Sequence, residues 1–200
     1  MSRLAPGFAR SAILLAAALG CAEVPFTGPQ PNPPPNQGDW AAARERATRS
    51  GKLYDGLGTN AFIHAVYQAS DVRQARVSRL AVWKAMTDAE RDRLLATENS
   101  DAALYDDFVV SLFTPERADN DLDAIQSIWR VALVVPGEGE RLPVGVSQLR
   151  ADSTLRALYP GIGDFDVVYR VRFTRWDPPL AQRRFTLRVA GARGRIDLDY

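Results

Sequence analysis

The sequence predicts a mainly β, α+β fold: a single β-sandwich of about seven strands, Ig-like or C2-like, with an inserted helical hairpin at about residues 70–98. Three observations predict it. Apolar and polar residues alternate with period two through much of the second half of the chain. Turns rich in Gly and Pro separate these segments. A stretch with helical spacing and a capping box interrupts the pattern earlier in the chain.

Taken in order, Trp40 to Ser50 reads as a short helix rich in Ala and Arg, capped by Asp39 and ended by Gly51. Gly56-Leu57-Gly58-Thr59 reads as a turn into a first strand, Asn60 to Gln68. Ser70 is placed to cap a helix through Met86, with Val72, Ala75, Leu80 and Trp83 near one side. Thr87-Asp88-Ala89-Glu90 is a capping box, so a second helix should run from Asp88 to about Glu98. The two make the helical hairpin, inserted after the first strand.

Phe108 to Phe113 is apolar on both faces, as a central strand is. Ile128 to Val135 follows, then a turn at Pro136-Gly137-Glu138-Gly139 and a strand from Leu142 to Leu149. Ser153 to Tyr159 is a short helix closed by Pro160-Gly161. Val167, Tyr169, Val171 and Phe173 then share one face of a strand, and Val168, Arg170, Arg172 and Thr174 the other. In the last hairpin, a loop at 191–194 sets Val189 against Ile196, Leu187 against Leu198 and Phe185 against Tyr200. Arg188 then faces Asp197, and Thr186 faces Asp199. A slip of one residue would set every apolar group opposite a polar one, so the register is well specified.

Residues 1–20 have a different character. Arg3 and Arg10 are the only charges before Glu23, and an apolar run ends in small residues at Gly20. The uncharged run from Ser11 to Ala22 is short of the ~20 residues that a helix needs to span a bilayer. A basic start and a short apolar run make a secretory signal. Ala18-Leu19-Gly20-Cys21 resembles the bacterial lipobox, with Ala18 where Leu is commoner. The resemblance implies cleavage before Cys21, a diacylglyceryl group on its thiol and acylation of the new amino terminus. It also implies a palmitate-bearing lipoprotein of the bacterial envelope. Ala22, where an inner-membrane retention signal carries Asp, resembles the outer-membrane type. One acyl chain anchors only marginally, and two or three hold firmly.

Residues 21–39 read as a tether. Pro25, Pro29, Pro31, Pro33, Pro34 and Pro35 stand among polar residues with little to bury. Extended at ~3.1 Å per residue, its part from Ala22 to Asp39 reaches up to ~55 Å. A Pro-x-x-Pro ligand is the sharper alternative, weakly matched by Pro31-Asn32-Pro33-Pro34. Residues 40–200 are then the folded domain.

Composition narrows the chemistry. The net charge of +1 and the expected export both argue against nucleic acid. Cys21 is the only cysteine, so no internal disulfide and no multi-cysteine metal site can form. His64 is the only histidine; it shares a strand face with Phe62 and Val66 and reads as a hydrogen-bonded structural residue. No Gly-x-Ser-x-Gly elbow accompanies it. We therefore expect no catalytic, cofactor-binding or metal-ligating residue, and lipidation at Cys21 alone. The expected function is a non-catalytic interaction or structural module held on a membrane, with an envelope protein as partner.

The alternative is a calcium- or ligand-binding sandwich using the loop Asp119-Asn120-Asp121-Leu122-Asp123, whose alternating carboxylates suit a hard cation. It is not an EF-hand, because Ala124 and Arg130 stand where Gly and Glu belong. A hydrolase using paired carboxylates is a third reading. Trp40, Trp83, Trp129 and Trp176 read as packing residues or as sugar platforms. Charge is uneven: 88–123 holds eleven acids against three arginines, and 170–200 eight arginines against three aspartates. The two stretches either pair within the fold or present opposite patches to a partner.

Overall fold

The computed structural model of the chain describes residues 39–200. The expected signal segment 1–20, the expected lipidation site Cys21 and the expected tether up to residue 38 lie outside the described residues. The helices are α1 (Asp39–Ala47), α2 (Ser70–Trp83), α3 (Asp88–Leu104) and α4 (Ser153–Leu158). The strands are β1 (Thr48–Asp55), β2 (Gly58–Tyr67), β3 (Tyr105–Phe113), β4 (Trp129–Val135) and β5 (Gly139–Arg141), followed by β6 (Gly145–Leu149), β7 (Val167–Thr174), β8 (Thr186–Gly191) and β9 (Gly194–Asp199). They form two antiparallel sheets, a five-stranded one in the order β1-β2-β3-β7-β6 and a four-stranded one in the order β5-β4-β8-β9. The chain is thus mixed α/β and rich in strand, as expected in its coarse outline.

The last hairpin takes the register that its alternation demands. Val189 faces Ile196, Leu187 faces Leu198, Arg188 faces Asp197 and Thr186 faces Asp199. Phe185 and Tyr200 extend it by exchanging backbone hydrogen bonds of 3.3 and 2.8 Å. Gly194 in the loop has φ +134°, a conformation that side-chain-bearing residues rarely adopt. The apolar run Phe108 to Phe113 lies in β3, which is central, between β2 and β7. Thr87 and Glu90 form the expected capping box: the Glu90 N–H donates to Thr87 Oγ1 (3.3 Å) and the Thr87 N–H to Glu90 Oε2 (2.8 Å).

Several expectations are corrected. The first helix ends at Ala47, and residues 48–55 form β1, an unexpected strand. Gly51 is therefore not a helix stop. It marks the place where β1 passes β9: a Cβ there would lie 2.3 Å from Ile196 Cγ2. Strands number nine among the described residues rather than about seven, β1 and the three-residue β5 being additional. The helical pair consequently sits between the second and third strands. Its first helix begins at Ser70 without a side-chain cap, and Met86 lies beyond its end. Its second helix runs on to Leu104. Arg172 holds Asp101, and Arg175 donates to the Ala102 carbonyl, so β7 and the segment after it support the extra turn.

Two buried clusters organise these elements. The first lies between the sheets. It contains Ile63, Phe108, Val110, Leu112, Tyr169, Val171 and Phe173 from one sheet, and Val131, Leu133, Leu187, Val189, Ile196 and Leu198 from the other. Phe185 and Tyr200 stack in it at 4.8 Å with Tyr67 and Phe108 edge-on. The second lies on the opposite face of the five-stranded sheet. There Val66, Val109 and Val168 meet Trp40, Ala43 and Ala47 of α1, and Leu158, Tyr159 and Ile162 around α4. Trp40 is fully enclosed, its indole N–H donating to the Leu158 carbonyl at 3.1 Å.

Candidate functional site

Under the helices, the covered face of the five-stranded sheet carries a polar row. Ser50 of β1 pairs with His64 of β2, and His64 pairs with Ser111 of β3. Strand alternation puts His64 on the face of Phe62 and Val66, as expected. Ser50 Oγ lies 2.6 Å from His64 Nδ1. Ser111 is 3% exposed, and its hydroxyl has no hydrogen-bond partner. A cavity of 90 Å³ opens here, lined by His64, Ser111, Arg44, Tyr159 and the apolar Val66, Val109 and Ile162. Gly161 passes close by; a Cβ on it would stand 3.7 Å from the His64 ring. The ring has Ser50 as its hydrogen-bond partner, and no carboxylate orients it within the described residues. A nucleophile–base–acid relay needs that third member.

Beside this row the same face holds a charged lattice that the sequence reading did not find. Asp107 of β3 receives two bonds from Arg172 of β7 (2.8 and 2.9 Å) and one from Arg73 of α2 (2.9 Å). Arg73 also donates to Glu98 of α3 (3.0 Å) and to the Gln68 carbonyl (2.8 Å). Arg172 reaches Asp101 at 2.9 Å. Burial alone would raise the Asp107 pKa, but hydrogen bonds from Arg172 and Arg73 outweigh it and hold the carboxyl below its ordinary range. The Asp107 bonds from Arg172 raise that guanidinium in return. The lattice fastens the helical hairpin to the sheet. Its one sequence signal is Asp106-Asp107 at the head of an otherwise apolar strand.

The two charge-rich stretches are joined through these contacts and others. Arg193 meets Asp119 at 2.8 Å across the fold. Arg188 is held by Asp197 at 2.9 Å on the outer side of the last hairpin. Of the arginines on the outer-patterned face of β7, Arg172 is engaged inside the lattice and Arg170 is exposed.

The Asp119–Asp123 loop does not converge on a point. Asp119 is occupied by Arg193. Asp121 accepts from Ser127 Oγ (2.8 Å) and the Ile128 N–H (3.2 Å), which closes the turn into β4. Asp123 points to solvent. Among the described residues, no three His, Cys, Asp or Glu side chains group as a metal site. Tyr169, whose hydroxyl donates to the Asn120 carbonyl at 2.7 Å, is pushed up to about 12 by burial and by Asp123.

The tryptophans are packing residues. Trp40, Trp129 and Trp176 are buried, and Trp83 lies half-covered with Arg79 over its ring at 4.4 Å.

A larger cleft of 390 Å³ lies at one end of the five-stranded sheet. Phe113, Gln148, Leu149, Arg117, Arg150 and Phe165 line it, and Phe165 is 81% exposed. The carboxamide oxygen of Asn120, also in this lining, is buried without a partner. The cleft adjoins β6, an edge strand whose residues are exposed or half-buried. Among the described residues, no helix is long and apolar enough to cross a membrane.

No protein-family model matches this chain, and neither the curated proteins nor the solved structures give a match.

Proposed function

We propose that this chain is an exported, lipid-anchored protein of the bacterial envelope, on the outer membrane, whose body is a non-catalytic binding module. Its paired sheets are read as an Ig-like or C2-like sandwich. The lipobox-like Ala18–Cys21 and the proline-rich tether support the anchoring. The observation that carries the binding role is the open edge of β6 beside the 390 Å³ cleft. An edge strand presents unpaired backbone N–H and C=O groups that another chain can adopt. Leu142, Val144 and Phe165 expose apolar surface around it. Strand addition takes its affinity from the backbone and its specificity from nearby side-chain pockets. The partner is an envelope protein that supplies an extended segment.

Two measurements test this. Metabolic labelling with palmitate should mark the chain and fail in Cys21→Ala, which should leave the membrane fraction; an unlabelled wild-type chain refutes the anchor. A photo-crosslinker at Ser147 on β6 should trap one discrete envelope protein, and the same group at Asp197 on the far sheet should not. Equal trapping from both sites, or none from Ser147, rejects the docking edge.

A further inference from the structure

We infer that the 90 Å³ cavity beside His64 is a binding site for a compact carboxylate the size of acetate. Ser111 Oγ is buried and without a partner at its wall. Leaving a buried hydroxyl unpaired is unfavourable by about 1–3 kcal/mol, so an occupant that accepts its hydrogen bond is favoured. With the Ser50 hydroxyl donating to His64 Nδ1, the ring proton stands on Nε2, which among the described residues makes no hydrogen bond and is a donor beside that of Ser111. Arg44 adds positive charge at the rim while Nη1 donates to the Leu158 carbonyl. Val66, Val109 and Ile162 give the wall its apolar part, and the hydroxyls of Thr48 and Tyr159, which also line it, donate to the Arg44 carbonyl and to Gln68 Oε1. Donors, a cation and methyl groups around one small space match a carboxylate with a short alkyl tail. Size sets the limit. A cavity of ~150 Å³ accepts benzene, so this smaller one takes about four non-hydrogen atoms. Entry is past His64, which is half-buried, beside the exposed Ser50.

The single histidine makes the test specific, because His64 gives the only imidazole signal in the NMR spectrum of the full chain in detergent. Sodium acetate, titrated against sodium chloride at constant ionic strength, should shift that signal saturably. Benzoate, too large for the cavity, should not. Ser111→Ala should weaken acetate by about tenfold, as loss of one hydrogen bond to a charged group does. Ser111→Val should abolish the shift. Acetate behaving as chloride does, an undiminished shift in Ser111→Val, or a crystal grown in acetate with only waters in the cavity would each overturn the site. If Ser111→Val does not fold, the contrast of acetate with benzoate in the unaltered protein decides. The outcome is independent of β6, which lies at the other edge of the sheet from β1.

Discussion

On the face of β3 that meets the second sheet stand Phe108, Val110 and Leu112; on the other face stand Asp107, Val109 and Ser111. Both faces are buried. The first is filled by aromatic and branched side chains from both sheets, and its polar guest, Asp106, sits at the strand's start. There Asp106 accepts from Tyr67 Oη and the Trp176 N–H, both at 2.7 Å. The second face mixes apolar contacts with a lattice of arginines and carboxylates and one hydroxyl without a partner. The first face is covered by another sheet, whose side chains interdigitate with it at a fixed spacing. The second is covered by helices of different lengths, which leave room for long arginines and for a cavity. Covering a sheet with helices therefore admits buried charge, provided each charge is bonded in place.

The largest expected effect breaks that proviso. Asp107→Ala leaves Arg73 with a vacant contact in a nearly dry site, where side-chain exposures are 3% and 4%. The loss should be about 3–5 kcal/mol in urea unfolding. Phe108→Ala on the opposite face should cost a similar ~3–5 kcal/mol, by leaving a cavity. The two faces separate in their rescue. Arg73→Met combined with Asp107→Leu, with Arg172 still held by Asp101, should recover part of the stability, whereas no change in the lattice fills the cavity left by Phe108→Ala. Failure of the double variant to improve on Asp107→Ala would show that the lattice is needed as charge.

Gly51→Ala should come next, at about 1–3 kcal/mol, because the new methyl group meets Ile196 Cγ2 at the junction of the sheets. Urea midpoints at constant slope measure it, and an unchanged midpoint would mean that β1 and β9 separate easily.

The pH profile distinguishes the faces more finely. The lowered Asp107 pKa means that its contribution is present above the ordinary value of 3.8 and is lost as pH falls through the folded value. Stability should fall below about pH 4, with a shallower slope in Asp107→Asn. On the inner face Tyr67 is raised above its ordinary 10.0, first by burial and then by the Asp106 carboxylate. Its contribution is present below that value and is lost as pH rises beyond it, because only the unfolded chain ionises readily. Stability should therefore also fall above about pH 10, less steeply in Tyr67→Phe. Identical alkaline profiles for Tyr67→Phe and the parent would remove this assignment.

Ser111→Ala has the smallest expected effect. Without a ligand it removes a buried hydroxyl that bonds to nothing, so stability should hold or rise, with no loss beyond about 0.5 kcal/mol. A loss well beyond that, measured without carboxylate in the buffer, would mean that ordered water already satisfies the hydroxyl.

Legibility in the sequence followed how local the cause was. The register of the last hairpin was readable because one face is apolar, so a slip exposes all of it at once. The capping box was readable because four adjacent residues contain the whole interaction. His64 could be placed on its face by alternation alone, but not its neighbours, since Ser50 and Ser111 come from two other strands. β1 was missed because its reason to exist is pairing with β2, and its glycine looked like a helix stop. Nothing in the sequence sets Arg73 and Arg172 apart from ordinary surface arginines, because their shared partner Asp107 is 34 and 65 residues from them in the chain.

By itself the sequence determined the β-rich class, the pairing of the last strands and the helical pair. Each of these rests on a period or motif within a few residues. Tertiary structure alone decided that residues 48–55 would be a strand, that the acidic and basic stretches would close on each other, and that the covered sheet face would enclose a polar cavity. Those depend on which distant segments meet, and a local pattern does not encode the identity of a distant neighbour.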